Sequence, residues 1–112
     1  MIDNAFMQCK TFAITKNLPV IFYFDTQNKK FFAKIDEKNV QNLNPSLKNY
    51  KVVPFTDLPN GVAIYEKNGK DLSITFEPNS TCSERIFVIK DKKHTFEIKT
   101  YSTGALWEIE KK

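Results

Sequence analysis

The sequence predicts an α+β fold, one amphipathic helix packed on antiparallel β-sheet, and three observations predict it. Residues 1–17 repeat apolar side chains at a helical period, and everything after them alternates in short segments broken by turn residues. The third is size: 112 residues make one domain with one core, burying roughly two thirds of the surface of the extended chain. The whole chain, residues 1–112, is therefore read as a single domain, helical over 1–17 and strand-rich over 18–112.

At 3.6 residues per turn, Ile2, Ala5, Phe6, Cys9, Phe12 and Ala13 form one stripe, and Asn4, Gln8, Thr11 and Thr15 lie opposite. The stop is legible, because Asn17 tolerates the left-handed conformation that closes a helix and Pro19 has no amide proton to extend it. The start is weaker: Asp3 is a candidate N-cap, yet Met1 and Ile2 already continue the stripe.

Val20 to Phe24 and Phe31 to Ile35 flank the polar stretch Asp25 to Lys30 and read as a hairpin. Asp36 to Tyr50 is polar, lacks periodicity and contains Pro45, so a surface segment with a helical turn is expected there. Tyr50 to Phe55 suits an edge strand, since Pro54 cannot donate to an interior ladder. After the turn Leu58 to Gly61, Val62 to Lys67 and Asp71 to Phe76 flank Asn68-Gly69, the dipeptide of tight hairpin turns. Arg85 to Lys90 is apolar on both faces and is expected centrally. In His94 to Thr100 the alternation puts Phe96 and Ile98 inward and Glu97 and Lys99 outward. A last strand follows Gly104 and carries Leu106, Trp107 and Ile109.

The chemistry that can be named from sequence is sparse. The one histidine, His94, sits among lysines in a turn and reads as a solvated loop residue. No phosphate loop, nucleophile elbow or paired-carboxylate pattern is present, and Cys9 and Cys82 lie too far apart to form a metal-ligand motif. No catalytic residue, metal site or cofactor is therefore expected, and no small-molecule substrate. The longest apolar run, Leu18 to Phe24, is well short of the roughly 20 residues of a membrane helix. The net charge of +4 gathers in Lys29-Lys30, Lys90, Lys92 and Lys93, and Lys111-Lys112. Lys90, Lys92 and Lys93 are candidate phosphate contacts, although aromatic residues do not interleave with the basic ones as a stacking platform requires.

Three stretches carry a resemblance to a known family. Ala5 to Val20, AFMQCKTFAITKNLPV, runs from a helix through a short break into a strand. Leu58-Pro-Asn-Gly-Val62, with Ile74-Thr-Phe-Glu-Pro-Asn79 downstream, looks like paired strands leading to a Phe-x-Pro-x-Gly turn. Phe96-Glu-Ile-Lys-Thr-Tyr-Ser-Thr-Gly-Ala105 looks like a closing hairpin. Together they resemble the head domain of the GspH/FimT minor pseudopilins, which are type IV pilin-like proteins. Ser80 stands where that turn usually has Gly, and Cys9-Lys10 replaces a small-Arg pair. The prepilin cleavage site and apolar anchor that precede the helix in that family are not in this sequence.

The resemblance implies a pilin-like fold and a structural, non-enzymatic subunit of a type II secretion, type IV pilus or competence assembly. It implies other pseudopilins or minor pilins as partners, and a domain in the bacterial periplasm held to the inner membrane by an N-terminal helix. Met7 and Ile14 fall outside the main stripe, two turns apart on one line, and are the expected subunit contact. In an exported protein Cys9 and Cys82 either pair, closing a long loop worth about 4 kcal/mol, or remain free thiols. The alternative function is a small binding module that takes DNA through its lysine-rich loops.

Overall fold

The computed structural model describes residues 2–112. Its helix α1, Ile2–Lys16, is followed by eight strands: β1 Val20–Asp25, β2 Lys30–Ile35, β3 Lys51–Asp57, β4 Ala63–Glu66, β5 Ser73–Phe76, β6 Ile86–Lys90, β7 Thr95–Tyr101 and β8 Leu106–Lys111. They form two four-stranded antiparallel sheets, one ordered β3-β2-β1-β5 and the other β4-β6-β7-β8. The expected α+β class is thus present, with the helix laid on the inner face of the first sheet against β1, β3 and β5.

Helix α1 ends as its sequence dictates. Asn17 takes a φ of 56° and the Leu18 amide reaches back to the Ala13 carbonyl at 3.1 Å, so an otherwise orphaned carbonyl is satisfied. At the other end the helix already includes Ile2, which places Asp3 inside the first turn. Its carboxylate accepts a hydrogen bond from Trp107 Nε1 at 2.6 Å and so ties the helix to β8. Asp3 as N-cap is therefore corrected to Asp3 as a tertiary tether.

Ala5, Phe6, Cys9 and Ala13 form the buried side of the helix. Phe6 lies edge-on to Phe22 at 5.0 Å and to Trp107 at 5.6 Å, and also touches Phe76. The Phe22–Phe24 and Phe24–Phe87 contacts, at 4.9 and 5.1 Å, continue this aromatic chain from the helix through the first sheet into the second. Edge-to-face pairs of this kind add to the burial of ring area that dominates the core.

The first hairpin pairs Val20 with Ile35 through to Asp25 with Lys30. Its inward set is Val20, Phe22, Phe24, Phe31, Ala33 and Ile35, all buried. Strand β3 lies at the sheet edge, where Pro54 is tolerated, and register shifts opposite Phe31, Ala33 and Lys34 bend it. Between β2 and β3 the expected helical turn is resolved as two short 3₁₀ turns, Glu37–Asn39 and Pro45–Leu47; the Asn44 side chain caps the second by accepting the Ser46 amide.

The Asn68-Gly69 hairpin is not formed. β4 pairs with β6 in one sheet and β5 pairs with β1 in the other, so the chain crosses between sheets at the expected turn. Gly69 has no positive φ, the signature a primed turn needs. Two interactions hold the crossing instead: Glu66 Oε2 accepts both the Asn68 and Ile86 amides, and Asp71 accepts the Ser73 amide and pairs with Arg85. Burial decides the outcome, because Ile74 and Phe76 complete the Phe-rich face beside β1 and are almost wholly buried there.

Strand β6 is internal, as expected, with Phe87 and Val88 buried on opposite faces. Glu97 does face away from Ile98, but it is not solvated. Its side chain is 8% exposed and lies between Lys67 and Lys99, each 3.7 Å from a carboxylate oxygen. Two long lysine stems cover the carboxylate that alternation alone would place in water.

Candidate functional site

On the helix, Met7 and Ile14 are 52% and 45% exposed, whereas Ala5, Phe6, Cys9 and Ala13 on the opposite side are buried. Met7 also lines a shallow apolar groove of about 410 Å³ together with Gln8, Thr11, Phe12, Thr15, Lys16 and Val52. The groove lies between the helix and edge strand β3, and Phe12 stacks on Tyr50 at 5.6 Å beside it. The pair predicted from helical spacing is thus available, as a line of apolar surface continued by a groove.

His94 is an exposed turn residue with Nδ1 3.6 Å from Asp91 Oδ1. Asp91 accepts the Lys93 and His94 amides, and these hydrogen bonds hold its carboxyl below the usual carboxylate range. Lys92, Lys93 and His94 line a hollow of about 440 Å³ with Asn60, Gly61 and Asp91. Lys90 is held apart from it over the Tyr65 ring at 5.9 Å. The structure therefore does not gather Lys90, Lys92 and Lys93 into one cluster, and a carboxylate sits among the remaining two.

Cys9 and Cys82 are free thiols, both buried in the core. Burial pushes the Cys9 thiol up to about 12 and the Cys82 thiol up to about 11; the latter donates to the Tyr101 carbonyl at 3.3 Å. A neutral, enclosed thiol is a poor nucleophile. In the native protein at mild alkaline pH both cysteines should resist a soluble disulfide reagent for as long as the fold persists, then react in full in denaturant. Stoichiometric thiol titration with and without guanidinium reads this directly, and rapid native labelling would contradict the packing.

A further concentration of aromatic and basic side chains was not found from sequence. On the outer face of the first sheet, opposite the helix, Tyr23 of β1 is the register partner of Phe32 of β2, and their rings stack at 5.1 Å. Phe55 of β3 extends the row, 4.6 Å from Phe32, and is 55% exposed. Lys34 lies over Tyr23 at 5.8 Å and Lys51 over Phe55 at 5.7 Å. Aromatic and basic residues do interleave here, correcting the expectation drawn from their linear order. The usable signal was strand alternation: with Phe31, Ala33 and Ile35 inward, Lys30, Phe32 and Lys34 must all point outward. Burial, with Asp36 and Asp71 nearby, raises the Tyr23 hydroxyl above its ordinary value, so it stays protonated at neutral pH.

Among the described residues no three His, Cys, Asp or Glu side chains gather as metal ligands, and no helix is long and apolar enough to cross a membrane. Comparison with protein-family models, with curated proteins and with solved structures finds no match to this chain.

Proposed function

We propose that this domain is a non-enzymatic structural subunit, the head of a minor-pseudopilin-like protein in a type II secretion, type IV pilus or competence assembly. The observation that carries the reading is the exposed Met7 and Ile14 line, which runs along a helix whose opposite face is fully committed to the core. Such a helix is anchored by one side and presents the other for lateral contact. Two further features support the pilin-like fold: the helix enters the sheets from the N-terminal side, and Ser80 adopts a φ of 64° at the turn where the resembled family has Gly.

On this reading other pseudopilins or minor pilins pack against the Met7 and Ile14 edge. The domain lies in the bacterial periplasm, tethered to the inner membrane by an N-terminal helix of the kind the resembled family carries. The apolar groove beside Met7 supports lateral packing along this edge of the helix.

The test is the double substitution Met7→Glu, Ile14→Glu in the full-length protein in its own bacterium. Surface changes of this kind alter stability by only about 0.5 kcal/mol, so the melting temperature of the domain should hardly move. Incorporation into sheared filaments, or crosslinking to co-expressed pilins, should be lost. Unchanged incorporation would overturn the proposed seam, and a large drop in melting temperature would show that both side chains belong to the core.

A further inference from the structure

We propose that the outer face of the sheet β3-β2-β1-β5 binds single-stranded nucleic acid, with bases against Tyr23, Phe32 and Phe55 and phosphates on Lys34 and Lys51. The surface is distinct from the Met7 and Ile14 edge and from the Lys90 to His94 turn, so the inference stands independently of the assembly reading.

Three observations converge on that ligand. The first is the aromatic row, which crosses three adjacent strands in one line and leaves its outermost ring, Phe55, more than half exposed. An outward sheet face is normally polar, and a row of rings there is a surface for flat apolar partners. The ring planes of Phe32 and Phe55 are tilted by 38° rather than parallel.

The second observation concerns charge. Lys34 and Lys51 are direct register partners whose ammonium groups lie over the two end rings of the row, and among the described residues neither has a carboxylate within ion-pair distance. Each ammonium rests over an aromatic ring, and that of Lys51 also donates to the Asn49 carbonyl at 3.4 Å, contacts weak enough at an exposed site to be exchanged for a phosphate. Lys30 points from the same face but is engaged by Asp57 at 2.6 Å, and is therefore assigned no phosphate.

The third is their combination. A π-face is shared by all bases and a phosphate by all nucleotides, so aromatic rings interleaved with lysines suit a single strand with little sequence preference. A duplex hides its base faces and would use the lysines alone. The flanking polar groups, Ser73 and Thr75 on β5, add hydroxyls without closing the surface.

The experiment is fluorescence anisotropy of the purified protein with a labelled oligothymidylate, titrated at several salt concentrations. Heparin and a duplex of equal length serve as competitors. Phe55→Leu should weaken binding about tenfold without changing the salt slope, since it removes the exposed ring at the end of the row, and Phe32→Ala should weaken it too, since it removes the ring that holds Tyr23 and Phe55 in line. Lys34→Gln and Lys51→Gln should each lower the slope by about one. All four side chains lie on the outward face, and each variant is checked by its melting temperature; for any that unfolds, Phe55→Tyr, which keeps a ring, should bind like the parent. The proposal is overturned if no binding appears at low salt, if heparin or duplex DNA competes as well as the single strand, or if Lys92→Gln, Lys93→Gln weakens binding while the Phe55 and Phe32 variants do not.

Discussion

Replacing Phe6 with alanine is expected to lower the unfolding free energy by about 3–5 kcal/mol, the range for excising a fully buried aromatic ring. Phe6 has no exposed surface and touches Phe22, Phe76 and Trp107, thereby joining the helix to both sheets. No neighbour on a backbone fixed by two sheets can swing in to refill the space. Domains of this kind are stable by only about 5–15 kcal/mol, so the loss is a large part of the total. Urea unfolding followed by Trp107 fluorescence measures it and also reports locally, because the indole packs on the ring that is removed. Phe6→Leu, which restores part of the volume, should recover part of the loss. A cost below about 1 kcal/mol for the alanine variant would mean that the helix is not docked as described.

Arg85→Ala should cost about 2–3 kcal/mol, for a different reason. The guanidinium donates from Nε to the Ser73 carbonyl at 3.1 Å, from Nη1 to the Glu84 carbonyl at 3.0 Å and from Nη2 to Asp71 at 2.8 Å. It thereby links the start of β5 in one sheet to the start of β6 in the other. Alanine leaves the part-buried Ser73 carbonyl without this partner, and an abandoned acceptor costs more than the average hydrogen bond contributes. The ion pair itself adds little, because the Asp71 side chain is 57% exposed. Lysine is expected to rescue poorly, lacking the planar fork that reaches three acceptors at once.

Acid should narrow the gap between parent and variant. Hydrogen bonds from Ser73 come first among the causes holding Asp71 below its ordinary 3.8, with Arg85 adding to them. A carboxyl depressed in the folded state stabilises above its unfolded value and loses that contribution as pH falls through the folded one. Only the Arg85 share of that depression differs between parent and variant, so the difference in urea midpoint should be greatest at neutral pH and shrink slightly below about pH 4; a gap that widens in acid would contradict the assignment.

Local chemistry was legible wherever it was also sufficient. Asn17 and Pro19 end the helix without help from elsewhere, and the β1–β2 hairpin follows from two alternating runs around a polar loop. Reading failed where a distant partner outcompeted a local signal. Asn68-Gly69 is a strong turn dipeptide, but pairing β4 with β5 would leave β1 without the Ile74 and Phe76 neighbours that complete its buried face. Glu97 was misread because alternation gives direction, not coverage, and the lysines that cover it come from two different segments. The aromatic and lysine face stayed hidden for a related reason: Tyr23, Phe32 and Phe55 are scattered along the chain and become a row only through strand register. The Met7 and Ile14 line needed only the helical period and was therefore visible.

The crossing between β4 and β5 makes each sheet depend on the other half of the chain. The sheet begun by the N-terminal segments is unfinished until β5 arrives, and the opposite sheet holds β4, which precedes β5. Neither sheet is a contiguous stretch of sequence that is able to complete itself while the rest is still unformed. The two sheets are thus coupled through the chain, and joining β5 to β1 closes a long loop, the kind of non-local pairing that slows folding. Ribosomal synthesis would release nearly the whole domain before it can fold, a delay during which the Phe-rich first hairpin is exposed to any partner that binds unpaired strands.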